Sequence, residues 1–172
     1  MIRLASAADD AARIAEIYNH YVRHDTATFE TEPVGADQMW ARVQALEARG
    51  LPWLVAEDSG GIVGYAYAGP YRDRAAYRHT LEASVYLDPE ERRGGWGTSL
   101  YVELIDRLRH LADSEHAPVH SVLGGIALPH PGSVALHERL GFAHVGTIPQ
   151  AGFKFDRWID VGFWQLLLEP AP

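Results

Sequence analysis

Apolar residues recur at Ile14, Ile17, Tyr18 and Tyr21, behind the acidic pair Asp9-Asp10. That spacing lays one buried stripe along a helix from Asp9 to about Val22, with the acids at its positive end. Thr26 to Pro33 breaks the period, and Met39, Val43 and Leu46 restore it as a second helix that ends at Gly50-Leu51-Pro52. Trp53 to Glu57 and Ile62 to Ala68 are apolar runs on either side of Gly60-Gly61, the pattern of a hairpin. From Leu81 to Leu87 the chain alternates. This strand puts Leu81, Ala83, Val85 and Leu87 on one face, and Glu82, Ser84 and Tyr86 on an opposite, more polar face.

A glycine-rich turn then leads into Thr98 to Leu111, where Leu100, Leu104, Ile105 and Leu108 make a helical stripe. Val119 to Ala127 reads as a buried strand and Ser133 to Leu140 as a short helix closed by Gly141, with Phe142 to Ile148 and Val161 to Leu168 as final strands. With Ile2-Arg3-Leu4 as a first short strand, the order is βααβββαβαββ. The expected fold is mixed α/β in one domain over residues 1–169, with 170–172 a disordered tail.

Composition narrows the chemistry. The 172 residues carry a net charge of −8, which disfavours a nucleic-acid surface and makes any local basic cluster informative. There is no cysteine, so disulfides, thiolate metal sites and a thiol nucleophile are excluded. No uncharged stretch reaches the roughly 18 residues of a membrane span, and the N-terminus lacks a signal-peptide pattern. A cytoplasmic location is the expectation. His20/His24 have helical i, i+4 spacing but no third ligand nearby, and His116/His120 straddle Pro118, so no metal is expected.

The strongest local signal is Arg92-Arg93-Gly94-Gly95-Trp96-Gly97-Thr98, between a strand and a helix. Glycines let backbone N–H groups turn toward a ligand and the helix start adds partial positive charge, so the turn suits a pyrophosphate. It lacks the Gly-Lys-Ser/Thr ending of a P-loop, and Leu100 stands where a dinucleotide fingerprint needs its last glycine. On this ground alone the segment is equally a plain glycine turn feeding a helix.

The spacing Arg92-x-x-Gly95-x-Gly97 resembles the acetyl-CoA pyrophosphate loop of the GCN5-related N-acetyltransferase superfamily. Thr26 to Pro33, Pro52 to Glu57, Ala66 to Pro70, Glu82 to Tyr86, Leu136-His137-Glu138 and Trp158 to Gln165 are similar to segments of phosphinothricin N-acetyltransferases. The resemblance implies a single-domain fold with a mostly antiparallel central sheet flanked by helices. It also implies acetyl transfer to the α-amine of a small anionic amino acid of the phosphinothricin, methionine sulfoximine or methionine sulfone type. A homodimer is implied as well. The alternatives are an acetyltransferase for another small amine, or a non-catalytic acyl-CoA-binding module.

Moving an acetyl group from a thioester to an amine needs a neutral amine, a stabilised oxyanion and a proton for the departing thiolate. Glu82 matches the general base, although on spacing alone a solvated polar-face residue is the favoured reading. His137 stands where a proton donor to the thiolate is implied, as donor or as positioning group. Val85, Tyr86 and Leu87 would line the pantetheine arm, and Arg92, Arg93, Gly94, Gly95, Trp96, Gly97 and Thr98 would hold the pyrophosphate. His130 replaces the asparagine usual three residues before Ser133, so both positions are cofactor-binding candidates. For the acceptor, Tyr71 to Arg78 is locally basic, and guanidinium forks suit a carboxylate or phosphinate. Arg72, Arg74, Tyr77, Phe29 and Lys154 are the substrate-binding expectations.

Overall fold

The computed structural model describes residues 1–91, 94–111 and 119–168. The tail and the pair Arg92-Arg93 lie outside the described residues. In chain order the elements are β1 (Ile2–Leu4), α1 (Ala7–His24), α2 (Ala36–Glu47), β2 (Trp53–Asp58), β3 (Gly61–Pro70), β4 (Thr80–Leu87), α3 (Trp96–His110), β5 (Ser121–Leu128), α4 (Pro131–Arg139), β6 (Ala143–Lys154) and β7 (Arg157–Leu167). The expected order is therefore present. A seven-stranded sheet runs β1-β2-β3-β4-β5-β7-β6, antiparallel at every pairing except β4 with β5.

The sheet is covered on both faces. Against one face α3 lays Leu100, Leu104 and Leu108, all fully buried, on Leu54, Ala66 and Ala83 of the strands. Against the other, α1 and α2 lay Ile14, Tyr18, Met39 and Val43 on Trp53, Val55, Tyr65 and Tyr86. This second layer corrects the one-sided reading of β4. Its expected polar face carries a buried tyrosine, Tyr86, packed against α1, and leaves Glu82 and Ser84 half-buried on the same side. Among the described residues no helix is long and apolar enough to cross a membrane, and no group of three or more metal-ligating side chains occurs.

Two boundaries differ from the expected ones. Helix α3 begins at Trp96, capped by Gly95 at φ 76°, so Gly97 and Thr98 belong to its first turn. A glycine meets that left-handed φ without steric cost. Strands β6 and β7 continue to Lys154 and Arg157, well past Ile148 and before Val161. The extension was hidden because the register shifts between Ile148 and Gly152, which breaks the alternation, and because both faces of β6 are largely exposed.

The extended hairpin places Lys154 where the sequence did not. Its Nζ donates to the carbonyls of Tyr21 (3.1 Å), Asp25 (2.7 Å) and Thr28 (2.8 Å). The Tyr21 carbonyl, in the last turn of α1, also takes the Asp25 N–H at 3.1 Å, and those of Asp25 and Thr28 follow the helix, where a cation is favoured. Burial pushes the ammonium's pKa down, and all three of its donors are engaged. Lys154 therefore anchors the C-terminal end of α1 to the hairpin instead of pointing free toward a ligand. Replacing it with methionine should lower unfolding free energy by about 2 kcal/mol, the scale of charged hydrogen bonds lost in a buried place. Urea denaturation of Lys154→Met against wild type measures this, and an unchanged midpoint would remove the anchoring role.

Candidate active site

Strands β4 and β5 stay paired for three residues only, Thr80, Leu81 and Glu82 against Ser121, Val122 and Leu123. Beyond that point each keeps its outer neighbour: β4 pairs with β3 as far as Leu87, and β5 with β7 as far as Leu128. The sheet consequently opens between them. Backbone groups on the inner edge of β4 lose their strand partners and must bond elsewhere. Tyr21 gives its hydroxyl to the Leu87 carbonyl (2.6 Å), and the Tyr101 hydroxyl lies 3.4 Å from that of Ala83. Val85 lies two residues from each, so by the period of the strand its backbone groups share that direction.

A cleft of about 450 Å³ occupies the opening. Of the expected cofactor-binding residues, Val85, Tyr86, Leu87, Gly95, Gly97, Thr98, His130 and Ser133 line it, as does His137. Trp96 does not; it packs against the α3-side core, its indole over Gly94. The start of α3, with its unpaired N–H groups, lies along the cleft wall.

Two consecutive glycines, Gly124 and Gly125, organise the chemistry at the fork. A Cβ on Gly124 would lie 2.2 Å from His137 Nε2, and one on Gly125 would lie 3.0 Å from Glu82 Oε1. Successive residues of a strand face opposite sides. Glu82 and His137 therefore stand at one level of β5 on opposite faces of the sheet, and the cleft joins the two faces.

His137 is buried, 3% exposed. Its Nδ1 lies 2.8 Å from the Ser133 carbonyl and its Nε2 3.0 Å from the Tyr101 hydroxyl. A carbonyl only accepts, so Nδ1 carries the proton and Nε2 accepts from Tyr101. Burial lowers the pKa of the ring, which keeps it neutral. Burial raises the pKa of Glu82, and among the described residues no cation pairs with it. Tyr101 and Tyr21 were missed in the sequence because each falls on a helical apolar stripe, where a tyrosine reads as core.

His130 caps α4. Its Nδ1 accepts the Ser133 N–H at 3.1 Å, the bond an asparagine side chain makes at the same helix position. His130→Asn should then keep stability, whereas His130→Ala should lose about 1 kcal/mol. Paired thermal and urea melts of the two variants distinguish them, and equal losses would show that the cap contributes nothing.

The expected acceptor residues are spread more widely. The loop between β3 and β4 springs from strand ends at which Gly69 faces Glu82 and Pro70 faces Leu81, so it overhangs the Glu82 end of the site. On it, Arg72 stacks at 4.9 Å from the Tyr71 ring and 6.0 Å from that of Tyr77, and Arg74 precedes the short turn Ala75–Tyr77. The Phe29 ring lies on Gly152 of β6. None of these side chains lines the cleft itself.

Residues 2–162 match the acetyltransferase (GNAT) domain family. The chain is 43% identical to the phosphinothricin N-acetyltransferase of Streptomyces viridochromogenes, across 99% of this chain and 90% of that one. It is 39% identical to the L-methionine sulfoximine/L-methionine sulfone acetyltransferase of Salmonella typhimurium, across 98% and 94%. Among solved structures, that of yncA from Salmonella typhimurium with its cofactor acetyl-CoA superposes with a TM-score of 0.92 at 38% identity, covering 98% of this chain and 94% of that one. The open sheet, the glycine-capped helix at the cleft and this extent of similarity make the chain a member of the GNAT acetyltransferase family, with the single-domain mixed α/β fold of that family.

Proposed function

We propose that the protein is a cytoplasmic acetyl-CoA-dependent N-acetyltransferase acting on the α-amine of small amino acids of the phosphinothricin, methionine sulfoximine or methionine sulfone type. The observation that carries this reading is the placement of Glu82 and His137 on opposite faces of the sheet at the β4/β5 opening. A carboxylate on one side and an imidazole–phenol pair on the other give an amine and a thiolate separate approaches and separate proton partners.

The cleft fits acetyl-CoA in its donor set: inner-edge backbone groups of Val85 to Leu87 for an amide-bearing arm, and the Gly95–Thr98 helix start for phosphates. His130 and Ser133 border the same space. Arg92 and Arg93 would add the charge that this helix start lacks. When bound, acetyl-CoA supplies the acetyl group as an activated thioester. Glu82, with its pKa raised by burial, is a stronger base than a solvated carboxylate, and it takes the proton of the amine directly or through water. On the other side His137, which lines the cleft with its Nε2 on the Tyr101 hydroxyl, hands on the Tyr101 proton or positions the departing thiolate. The overhanging Arg72 and Arg74 orient the amino acid by its carboxylate, beside Phe29 and Tyr77. A second copy of the chain is expected on the β6–β7 hairpin, where Phe153 and Trp158 pair at 4.9 Å and stand more than half exposed at the sheet edge.

Glu82→Gln should keep the fold and lower kcat at neutral pH by about 10²-fold or more. Wild-type activity falls as the pH drops through the raised pKa of Glu82, because the protonated carboxyl is no base. The variant has no carboxyl to titrate, so it lacks that limb, and its deficit shrinks at high pH as the amine deprotonates in solution. Free CoA release across a pH series measures both. A deficit independent of pH would assign Glu82 to positioning, and full activity would leave it without a role.

Arg74→Lys keeps the charge and loses the fork. It should raise KM for phosphinothricin-like amino acids and leave a carboxyl-free amine little changed. Steady-state kinetics on the two acceptors provide the comparison. If wild type uses both equally and the variant alters neither, the acceptor is not selected by its carboxylate.

A further inference from the structure

We infer that the reacting amine sits at the point where Gly125 lacks a Cβ, and that Phe163 walls this seat so that it admits an unsubstituted primary amine. This rests on the reading of Glu82 as the group that takes the amine's proton.

Three strands define the seat. Glu82 pairs with Leu123, the last residue of β5 that β4 reaches, and Gly125 lies two positions beyond it on the same face. Strand β7 sets Phe163 directly opposite Gly125, and cross-strand partners share a face. A Cβ on Gly125 would lie 3.0 Å from Glu82 Oε1 and 3.5 Å from Phe163 Cε1. Both side chains therefore border one atom-sized space, which any other residue at 125 would fill. Gly125 also lines the cofactor cleft, whereas Glu82 and Phe163 do not, so the acceptor side of the sheet meets the cleft at this space. Gly125 has no positive φ. Glycine is needed here for the volume above its Cα and not for its backbone freedom.

The distances are those of a bound nitrogen. At 3.0 Å a nitrogen donates an N–H to the carboxylate oxygen, and at 3.5 Å it stands in van der Waals contact with the ring. A neutral amine reacting toward the cleft aims its lone pair there, carries the acceptor's own carbon on a second direction and gives one N–H to Glu82. Its remaining substituent faces Gly125 and Phe163, where contact distance leaves room for hydrogen and none for a methyl.

The same ring shields the base. Burial, not a neighbouring charge, raises the pKa of Glu82. The titratable groups that act on it are the phenols of Tyr67 on β3 and Tyr101 on α3. From β5 and β7 it meets only uncharged residues, Leu123, Gly125, Phe163 and Gln165. On α2, Arg42 is tied to both oxygens of Glu30, and Arg72 and Arg74 of the overhanging loop are exposed. Phe163 brings its ring edge to the same point as the carboxylate, so it is part of what keeps water from it.

Gly125→Ala puts a methyl in the seat on a strand backbone that accepts alanine. It should lower kcat/KM for methionine sulfone by roughly 10²-fold, the scale of a reacting group displaced by about an ångström, while the calorimetric Kd for acetyl-CoA and the melting temperature stay unchanged. Wild type should prefer methionine sulfone over its N-methyl derivative by roughly tenfold or more. Phe163→Ala should narrow that ratio, and Phe163→Leu should retain it. Carboxyl-carbon NMR of Glu82 in the cofactor-free protein reads the wall without turnover: the titration midpoint should fall toward the usual carboxylate range in Phe163→Ala and stay raised in Phe163→Leu. Full activity of Gly125→Ala, or an equal loss of acetyl-CoA affinity, overturns the seat. An unchanged midpoint or an unchanged N-methyl ratio in Phe163→Ala overturns the wall, and these two measurements decide even where Gly125→Ala fails to fold. A fully active Glu82→Gln defeats the reading of Glu82 and the seat with it, whereas an inactive Glu82→Gln beside an unaffected Gly125→Ala defeats the seat alone.

Discussion

Everything about the site follows from the loss of pairing between β4 and β5 after Glu82. A parallel pair in the middle of a sheet normally continues, because each unpaired backbone group removed from water costs free energy. Here the strands part because each is held more firmly by its outer antiparallel neighbour, and because the gap is occupied. The His137 ring fills the space that a side chain at Gly124 would need, the Glu82 carboxylate closely approaches Gly125, and tyrosine hydroxyls from α1 and α3 approach the freed carbonyls. The opening is thus satisfied from both helical layers, and it leaves a passage through the sheet.

The two layers then divide the work. The α3/α4 side supplies a helix start, a capped α4 and a neutral imidazole whose hydrogen bonds fix its tautomer. The α1/α2 side supplies the carboxylate and, beyond it, the stacked rings of Trp53 and Tyr67. Burial shifts both titrating groups in the direction that suits separate roles: the carboxyl upward toward a useful base, the imidazole downward toward a neutral acceptor. Neither shift comes from a nearby opposite charge, so both depend on the packing that keeps water away.

The same packing explains why a residue far along the chain matters to the site. Lys154 reaches from the β6–β7 hairpin to the end of α1 and the backbone carbonyl of Thr28, while Phe29 rests on Gly152 of that hairpin. The hairpin therefore holds the segment that follows α1 in place. Its outer face leaves Phe153 of the edge strand β6 and Trp158 of its neighbour β7 exposed.

Short-range pattern carried the element order in full: helical stripes such as Leu100, Leu104 and Leu108, the hairpin around Gly60-Gly61, and the alternation that put Glu82 and Ser84 on one face. It also marked the glycine turn, because a left-handed cap and a helix start are local properties. Local pattern could not register three things, since each depends on residues distant in sequence. Alternation in β4 cannot tell a solvated face from one covered by α1 and α2, so the setting of Glu82 stayed open. Tyr21 sits on an apolar stripe and Tyr101 beside Leu100 and Leu104, and nothing local shows that the strand opening gives their hydroxyls partners. Lys154, read as a ligand contact, proved to be tied to carbonyls more than 120 residues away. Periodicity reports which residues share a face; only the packed layers decide what that face meets, and hydrogen-bond satisfaction in those layers sets each polar group's role.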